Sequence, residues 1–365
     1  MRKGGGVHLV VSCGIALWVA FVFSVSSFSW WTIPSFKSAE LLEAENLEQV
    51  WATGGGWATV AVDAKGEIIG GKTAGFDKTS FARFAPDGTI DSRMRVAASG
   101  WVARSAQLDA DSDTEYLVFN PWGQAVAVDH NGSRLWKVSG GGGINDVWTV
   151  DLTGDGLDEV IVGYNGGTGI HVFGPDGNRL WKNTSIGNVW HVTAADLDGD
   201  GRPEVLSTSA RGKVHVFDAE SGEQIATMEP AVYSTMVRSA VLEGEPLVLA
   251  GGGGTGSGPP TVTCFAADGT ERWHFSIEHD APIEDIRAAT TRPWGVISFR
   301  SGHVWVFDLR DGSILGRAVV GGAQMSVAWH EGGDEPMLLV ADGDGLIAMR
   351  VVGAVVAASP ENPEP

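Results

Sequence analysis

Asp151-Leu-Thr153-Gly-Asp155-Gly-Leu157-Asp-Glu159, followed by Phe173-Gly-Pro-Asp-Gly177-Asn-Arg-Leu-Trp181, belongs to a unit that the chain writes about seven times. The glycine of the second segment marks the period. It recurs in Phe84-Ala-Pro-Asp-Gly88, Val128-Asp-His-Asn-Gly132, Phe217-Asp-Ala-Glu-Ser-Gly222, Phe265-Ala-Ala-Asp-Gly269 and Phe307-Asp-Leu-Arg-Asp-Gly312, at intervals of 44, 45, 45, 47 and 43 residues. A fixed period in this range is the mark of a repeat architecture.

Each unit reads as four short strands. In the second unit, Trp101–Leu108, Tyr116–Asn120, Gln124–Asp129 and Arg134–Ser139 are separated by an acidic loop, a Pro121-Trp122-Gly123 turn and a His130-Asn131-Gly132 turn. Period-two alternation closed by Asn-Gly and Asp-Gly turns signals hairpins, and no useful helix-period stretch follows residue 50. Tandem four-stranded units predict an all-β fold, a β-propeller whose circular closure removes long exposed sheet edges. The 315 residues from Trp51 to the C-terminus accommodate seven blades. Six is the alternative, because the first and last units diverge most. The last, Ser326–Val352, has three strands, and its outer strand is expected from near Gln49–Thr53. The expected organisation is a signal peptide or anchor over 1–36, a linker over 37–50 with a short helix at Glu40–Glu48, a propeller over 51–352 and a disordered tail over 353–365.

Composition agrees. Glycine supplies 51 of 365 residues, roughly twice the usual share, but without the three-residue period of collagen. A hydrophobic fraction of 43% excludes whole-chain disorder. The formal charge of −20 argues against nucleic acid as a partner, since a phosphate backbone calls for a basic surface. Trp136, Trp181 and Trp273 each lie four residues after a turn glycine, where they are expected to fill the wedge between neighbouring blades.

The N-terminus indicates export. Arg2 and Lys3 precede an uncharged stretch whose apolar heart, Val7–Phe28, reaches about 33 Å as a helix, enough to cross a bilayer. The leading charges favour a cytoplasmic amino end, placing everything from Lys37 onward outside. Ser24 and Ser26 also offer a small-x-small cleavage site, so an anchor and a cleaved signal peptide both stand. Val10-Val11-Ser12-Cys13 loosely resembles a lipobox, but most of the apolar run follows Cys13 rather than closing at it. Cys264 is the other cysteine of two, so the exported part holds no intramolecular disulfide.

Three successive units carry an acidic loop in phase with the repeat: Gln107-Leu-Asp109-Ala-Asp111-Ser-Asp113-Thr-Glu115, then Asp151 to Glu159, then Asp196-Leu-Asp198-Gly-Asp200-Gly-Arg202-Pro-Glu204. Oxygen side chains recur at positions 1, 3, 5 and 9, and position 7 (Leu157, Arg202) offers a carbonyl. Calcium takes six to eight oxygens, and a tightly turned loop points alternate residues at one centre. Clustered carboxylates repel unless a cation neutralises them. The competing reading is a polar turn closed by local Asx-type hydrogen bonds. Asp342-Gly-Asp-Gly345 looks similar but precedes a third strand, where a simple turn is needed.

These Asp-x-Asp-x-Asp-Gly-x-x-Glu loops followed by apolar strands resemble FG-GAP (VCBS) repeats, as in integrin alpha-chain propellers. The resemblance covers most of residues 51–351, with strong motifs only from Trp101 to about Thr235. It implies a β-propeller with structural Ca2+ in up to three loops. The Gly-x-x-Leu-Trp strands also resemble quinoprotein-type propeller repeats.

Enzyme motifs mostly fail. Gly66 to Thr73 fits the phosphate-loop pattern, but that chemistry needs a strand, a glycine loop and then a helix, and Glu67–Gly71 itself reads as a strand. The nine histidines are scattered, with His171 and His215 echoing the repeat. The expected function is a protein- or glycan-binding module, with a lyase-like polysaccharide-acting enzyme and a quinone-cofactor protein as alternatives. Gly140–Asp146, Asn165–Gly169 and Gly251–Pro260, on the face opposite the acidic loops, are the expected binding surface.

Overall fold

The computed structural model describes residues 38–353, apart from 74–78, 97–99, 101, 121, 255–257, 279–280 and 323–325. The apolar run Val7–Phe28 and the tail from residue 354 lie outside the described residues. The described chain forms seven antiparallel sheets and no helix. The sheets are the blades of a propeller: residues 59–96, 102–138, 144–183, 189–228, 234–276 and 283–320 each make one from four consecutive strands, innermost first. Blade 7 takes three strands from residues 326–351. Its fourth is Leu47–Gly54, which pairs antiparallel with Gly345–Val351 from Leu47↔Val351 to Gly54↔Gly345. The ring therefore closes by joining its two ends, through the segment that the sequence singled out.

The expected helix at Glu40–Glu48 is not formed. Leu41–Glu45 is a strand that pairs with Ile314–Val320 and adds a fifth strand to blade 6. Asn46, in the left-handed region at φ 55°, turns the chain from the edge of blade 6 to that of blade 7, a conformation that asparagine tolerates better than most residues. Helix propensity is a weak prior, and here it loses to two open sheet edges whose backbone groups need partners.

The middle strands also depart from strict alternation. Glu159–Tyr164 and Ile170–Phe173 are buried at every position, whereas the outer strand Arg179–Asn183 is largely exposed. A blade is sandwiched between two neighbours, so its middle strands bury both faces and read as apolar runs. The seven cores accordingly lie between blades. One joins Leu117, Phe119 and Ala127 to Val147, Val160 and Tyr164, and another joins Leu206, Val216 and Met228 to Val237, Val248 and Phe265.

The tryptophans fill these wedges in a repeated way. Trp136 Nε1 donates to Pro175 O (2.8 Å), Trp181 Nε1 to Ala219 O (2.7 Å), Trp273 Nε1 to Leu309 O (2.9 Å) and Trp51 Nε1 to Pro86 O (2.7 Å). Each ring lies on the turn glycine of the next blade. A Cβ on Gly177 would meet Trp136 at 2.7 Å, and one on Gly88 would meet Trp51 at 2.7 Å. The turn glycine is needed for its left-handed backbone, φ 80° at Gly177, and also for the room it leaves. Ile68–Thr73 is the second strand of blade 1, so the phosphate-loop look-alike lies in a sheet.

Candidate metal loops and the axial channel

In an antiparallel meander, the loops after the first and third strands share one face of the ring, and the remaining loops share the other. The three acidic loops all follow first strands and lie on one face. Each begins as its inner strand ends and closes on a glutamate that opens the second strand: Glu115, Glu159 and Glu204. The Glu115 and Glu159 side chains turn inward and are buried. Glu115 Oε2 accepts the Leu108 amide (2.8 Å), Glu159 Oε2 the Leu152 amide (2.9 Å) and Glu204 Oε2 the Leu197 amide (2.8 Å). Burial, with the neighbouring aspartates adding to it, raises all three carboxyls above their ordinary range.

The loops are not equivalent. In the first, carboxylate oxygens of Asp109, Asp111 and Glu115 lie within 4.8 Å of one another, as do those of Asp196, Asp198 and Glu204 in the third. Position 1 of the first loop is Gln107, whose amide donates to the carbonyls of Asp109 and Asp111 (both 2.8 Å). Asp113 stands apart, 3.0 Å from His130 Nδ1. In the third loop Asp196 accepts the Gly199 (2.8 Å) and Gly201 (3.0 Å) amides, while Asp200 accepts the Arg202 amide (2.8 Å). In the second loop Asp151 accepts the amides of Thr153, Gly154, Asp155 and Gly156, and Asp155 accepts that of Leu157 (2.9 Å). The second loop is thus closed by Asx-type bonds like the third, but Thr153 supplies no charge to it. Asp158, which the loop pattern does not single out, laces two blades together. Its Oδ2 accepts the Gln107 amide (2.9 Å), and its own amide donates to Gln107 O (2.7 Å).

On the opposite face, the Asn165 amide donates to Gly143 O (3.0 Å) and the Gly166 amide to Asn188 Oδ1 (2.8 Å). Beside them stands Trp122, 70% exposed and at φ 71°, its amide bonded to Ile144 O (2.9 Å). Asp342 Oδ1 closes a turn by accepting the Asp344 and Gly345 amides (both 2.9 Å). His171 packs on Tyr164 (4.6 Å between ring centroids), and His215 meets Ser209 Oγ at 2.9 Å. They form no joint site.

The inner strands hold a charged constellation that the sequence reading missed. Arg238, 3% exposed, donates through Nη1 to Asp146 Oδ2 (3.0 Å), and its Nη2 lies 3.6 Å from Asp285 Oδ1. Arg104 Nη2 lies 3.6 Å from Asp146, and Arg287 Nε 3.1 Å from Asp285. All three guanidinium carbons lie over the Trp148 ring, at 5.9, 5.3 and 5.5 Å from its centroid for Arg104, Arg238 and Arg287. Burial alone would raise the Asp146 carboxyl, but Arg238, His191 and Arg104 outweigh it and hold it at about 2. A cavity of about 690 Å³ opens beside this cluster, lined by Arg104, Trp148 and Arg287 and by first-strand loops of blades 1, 6 and 7, on the acidic-loop face. The available signal was charge placed inside first strands, at Arg104, Asp146, Arg238, Asp285 and Arg287.

Residues 151–207, which span the second and third acidic loops, match the family FG-GAP-like repeat. No curated protein matches the chain by sequence. Among solved structures, the chain is similar to BBS1N crystallised in complex with ARL6DN. The mercury-soaked form gives a TM-score of 0.60 at 12% identity, over 87% of this chain and 97% of that one. The lead-soaked form gives 0.59 over the same shares. BamB from Moraxella catarrhalis gives 0.49 at 18% identity, over 81% and 82%. At such identities the likeness is one of fold.

Proposed function

We propose that this seven-bladed propeller with an FG-GAP-like repeat is an exported, calcium-stabilised module that binds a protein. The observation that carries the calcium reading is the pair of three-carboxylate groups, Asp109, Asp111 and Glu115, and Asp196, Asp198 and Glu204, each built around a glutamate that burial and neighbouring aspartates disfavour as an anion. A divalent cation relieves both effects at once. Its role is structural, fixing the loop that joins the first two strands of a blade. Arg2, Lys3 and the apolar run Val7–Phe28 support export with membrane anchoring.

The protein-binding reading rests on the face opposite these loops. A bulky aromatic held 70% exposed by a left-handed backbone is the kind of residue that anchors interfaces, and Trp122 is bordered by hydrogen-bonded loops rather than free ones. That BBS1N was crystallised in complex with ARL6DN is in keeping with a propeller serving as a docking platform.

The test has two parts. Metal analysis of the purified protein should find calcium, and chelation should lower its melting temperature; an unchanged melt with no bound calcium removes the metal assignment. A pull-down from the extracytoplasmic fraction should lose its captured protein with Trp122→Ala. Capture of glycans instead would overturn the choice of partner.

A further inference from the structure

We infer that the mouth of the axial channel is an oxyanion site, in which Arg104 and Arg287 hold a carboxylate-, phosphate- or sulfate-bearing small molecule beside the Trp148 ring. The first reason is charge. Three guanidinium groups share the cluster with two carboxylates, Asp146 and Asp285. His191 does not alter this balance at neutral pH, because burial lowers its pKa and keeps it neutral. One positive charge of the cluster is therefore left without a counter-ion among the described residues. Burial pushes Arg287 down to about 9 and lowers Arg104, even with both aspartates nearby. The Trp148 face is a partial answer only, since a cation–π contact carries no net charge.

The second reason is unused donor capacity. Arg238 is tied into the scaffold through Nη1, which donates to Asp146, Val192 O and Val237 O, although its Nε is buried and unpartnered. Arg287 donates through Nε alone (3.1 Å), and neither of its Nη groups has a hydrogen-bond partner among the described residues. Arg104 makes one long bond, Nη1 to its neighbour Ala103 O (3.4 Å), and its Nε is buried and unpartnered. These two arginines, rather than Arg238, line the cavity. A guanidinium fork with free Nη groups is matched in shape to a planar or tetrahedral oxyanion.

The third reason is room. Blades 1 and 7 line the same cavity with Ala61 and Ala328, whose short side chains leave it open. The resulting volume of about 690 Å³ exceeds what a bare ion needs and falls in the range of small-molecule sites. Neither carboxylate at the mouth, Glu331 or Asp63, makes an ion pair with these arginines among the described residues, although Asp63 Oδ2 is buried and unpartnered. Glu331 is engaged by the Thr290 and Thr291 amides and hydroxyls, and Asp63 Oδ1 by the Lys65 and Glu67 amides.

The experiment is a titration of the calcium-supplemented protein with sodium sulfate and, separately, sodium succinate. Ionic strength is held constant with sodium chloride, and the melting temperature is read. At least one anion should raise the melt saturably in the millimolar range. A response to sulfate identifies a sulfate- or phosphate-bearing ligand, and a response to succinate a carboxylate. Arg287→Met should weaken the response at least tenfold. Ala328→Leu, which fills the cavity while leaving every charge in place, should do the same and serves alone if Arg287→Met does not fold. A response that fails to saturate, or one that survives Ala328→Leu, overturns the assignment.

Discussion

Gly177 and Gly154 share a left-handed backbone, at φ 80° and 78°, yet their surroundings differ. A Cβ on Gly154 meets nothing within 4 Å, whereas one on Gly177 meets the Trp136 ring at 2.7 Å. Gly154→Ala should therefore cost about 1 kcal/mol for the backbone alone. Gly177→Ala should cost about 2–4 kcal/mol once overpacking is added, and urea melts of the two variants compare them directly. Asp146 sets a second residue-scale expectation. Its carboxyl is depressed from 3.8 to about 2, so its contribution is fully present above pH 4 and is lost as pH falls from about 4 to 2. The shift corresponds to about 2 kcal/mol. Asp146→Ala strands Arg238 in the interior and should cost about 3–5 kcal/mol, flattening the acid limb of a stability-against-pH curve.

At the scale of the element, the two N-terminal strands have unequal duties. Leu47–Gly54 completes blade 7, carries Trp51 onto Gly88 and pairs Glu48 with Arg350 (2.8 Å). Leu41–Glu45 only extends a blade that already has four strands. Deleting residues 41–45 should leave a cooperatively melting ring that elutes like the parent protein, whereas deleting 41–54 should expose the edge of blade 7 and produce aggregates. Size-exclusion chromatography separates the outcomes. The helix expected at Glu40–Glu48 was illegible as a strand for a related reason. Its partners, Arg317 and Val320 for the first strand and Arg350 and Val351 for the second, lie about 270 to 300 residues away in sequence, and local propensity carries no information about them.

For the whole molecule, the proposed calcium sites tie stability to a cation. At calcium one hundredfold above the dissociation constant, each occupied loop adds about 2.7 kcal/mol. Occupancy of the first and third loops should thus raise the melt by about 10 °C over a chelated sample, measurable by scanning calorimetry. Asp198→Asn should remove about half of that difference. Thr153→Asp, which adds the missing charge, should bring the second loop closer to the other two and enlarge the calcium-dependent shift. The inequality of the loops was half legible, since Thr153 breaks the pattern in the sequence. That Asp113 pairs with His130 and Asp158 with Gln107 was not, because each depends on how loops and turns lie across the folded face.

The repeat, the blade count within one and the closing strand were legible in the sequence because each rests on a local requirement written at a fixed period. Glycine must follow the aspartate of the turn for its φ, apolar runs must fill the middle strands, and a three-stranded last unit needs a fourth strand from elsewhere. The tertiary structure alone decided what the ring encloses. Arg104, Asp146, Trp148, Arg238, Asp285 and Arg287 come from four blades, and nothing in their local sequence marks them as neighbours. They meet only because circular closure turns inner strands toward one axis, where side chains far apart in the chain share a single low-dielectric space.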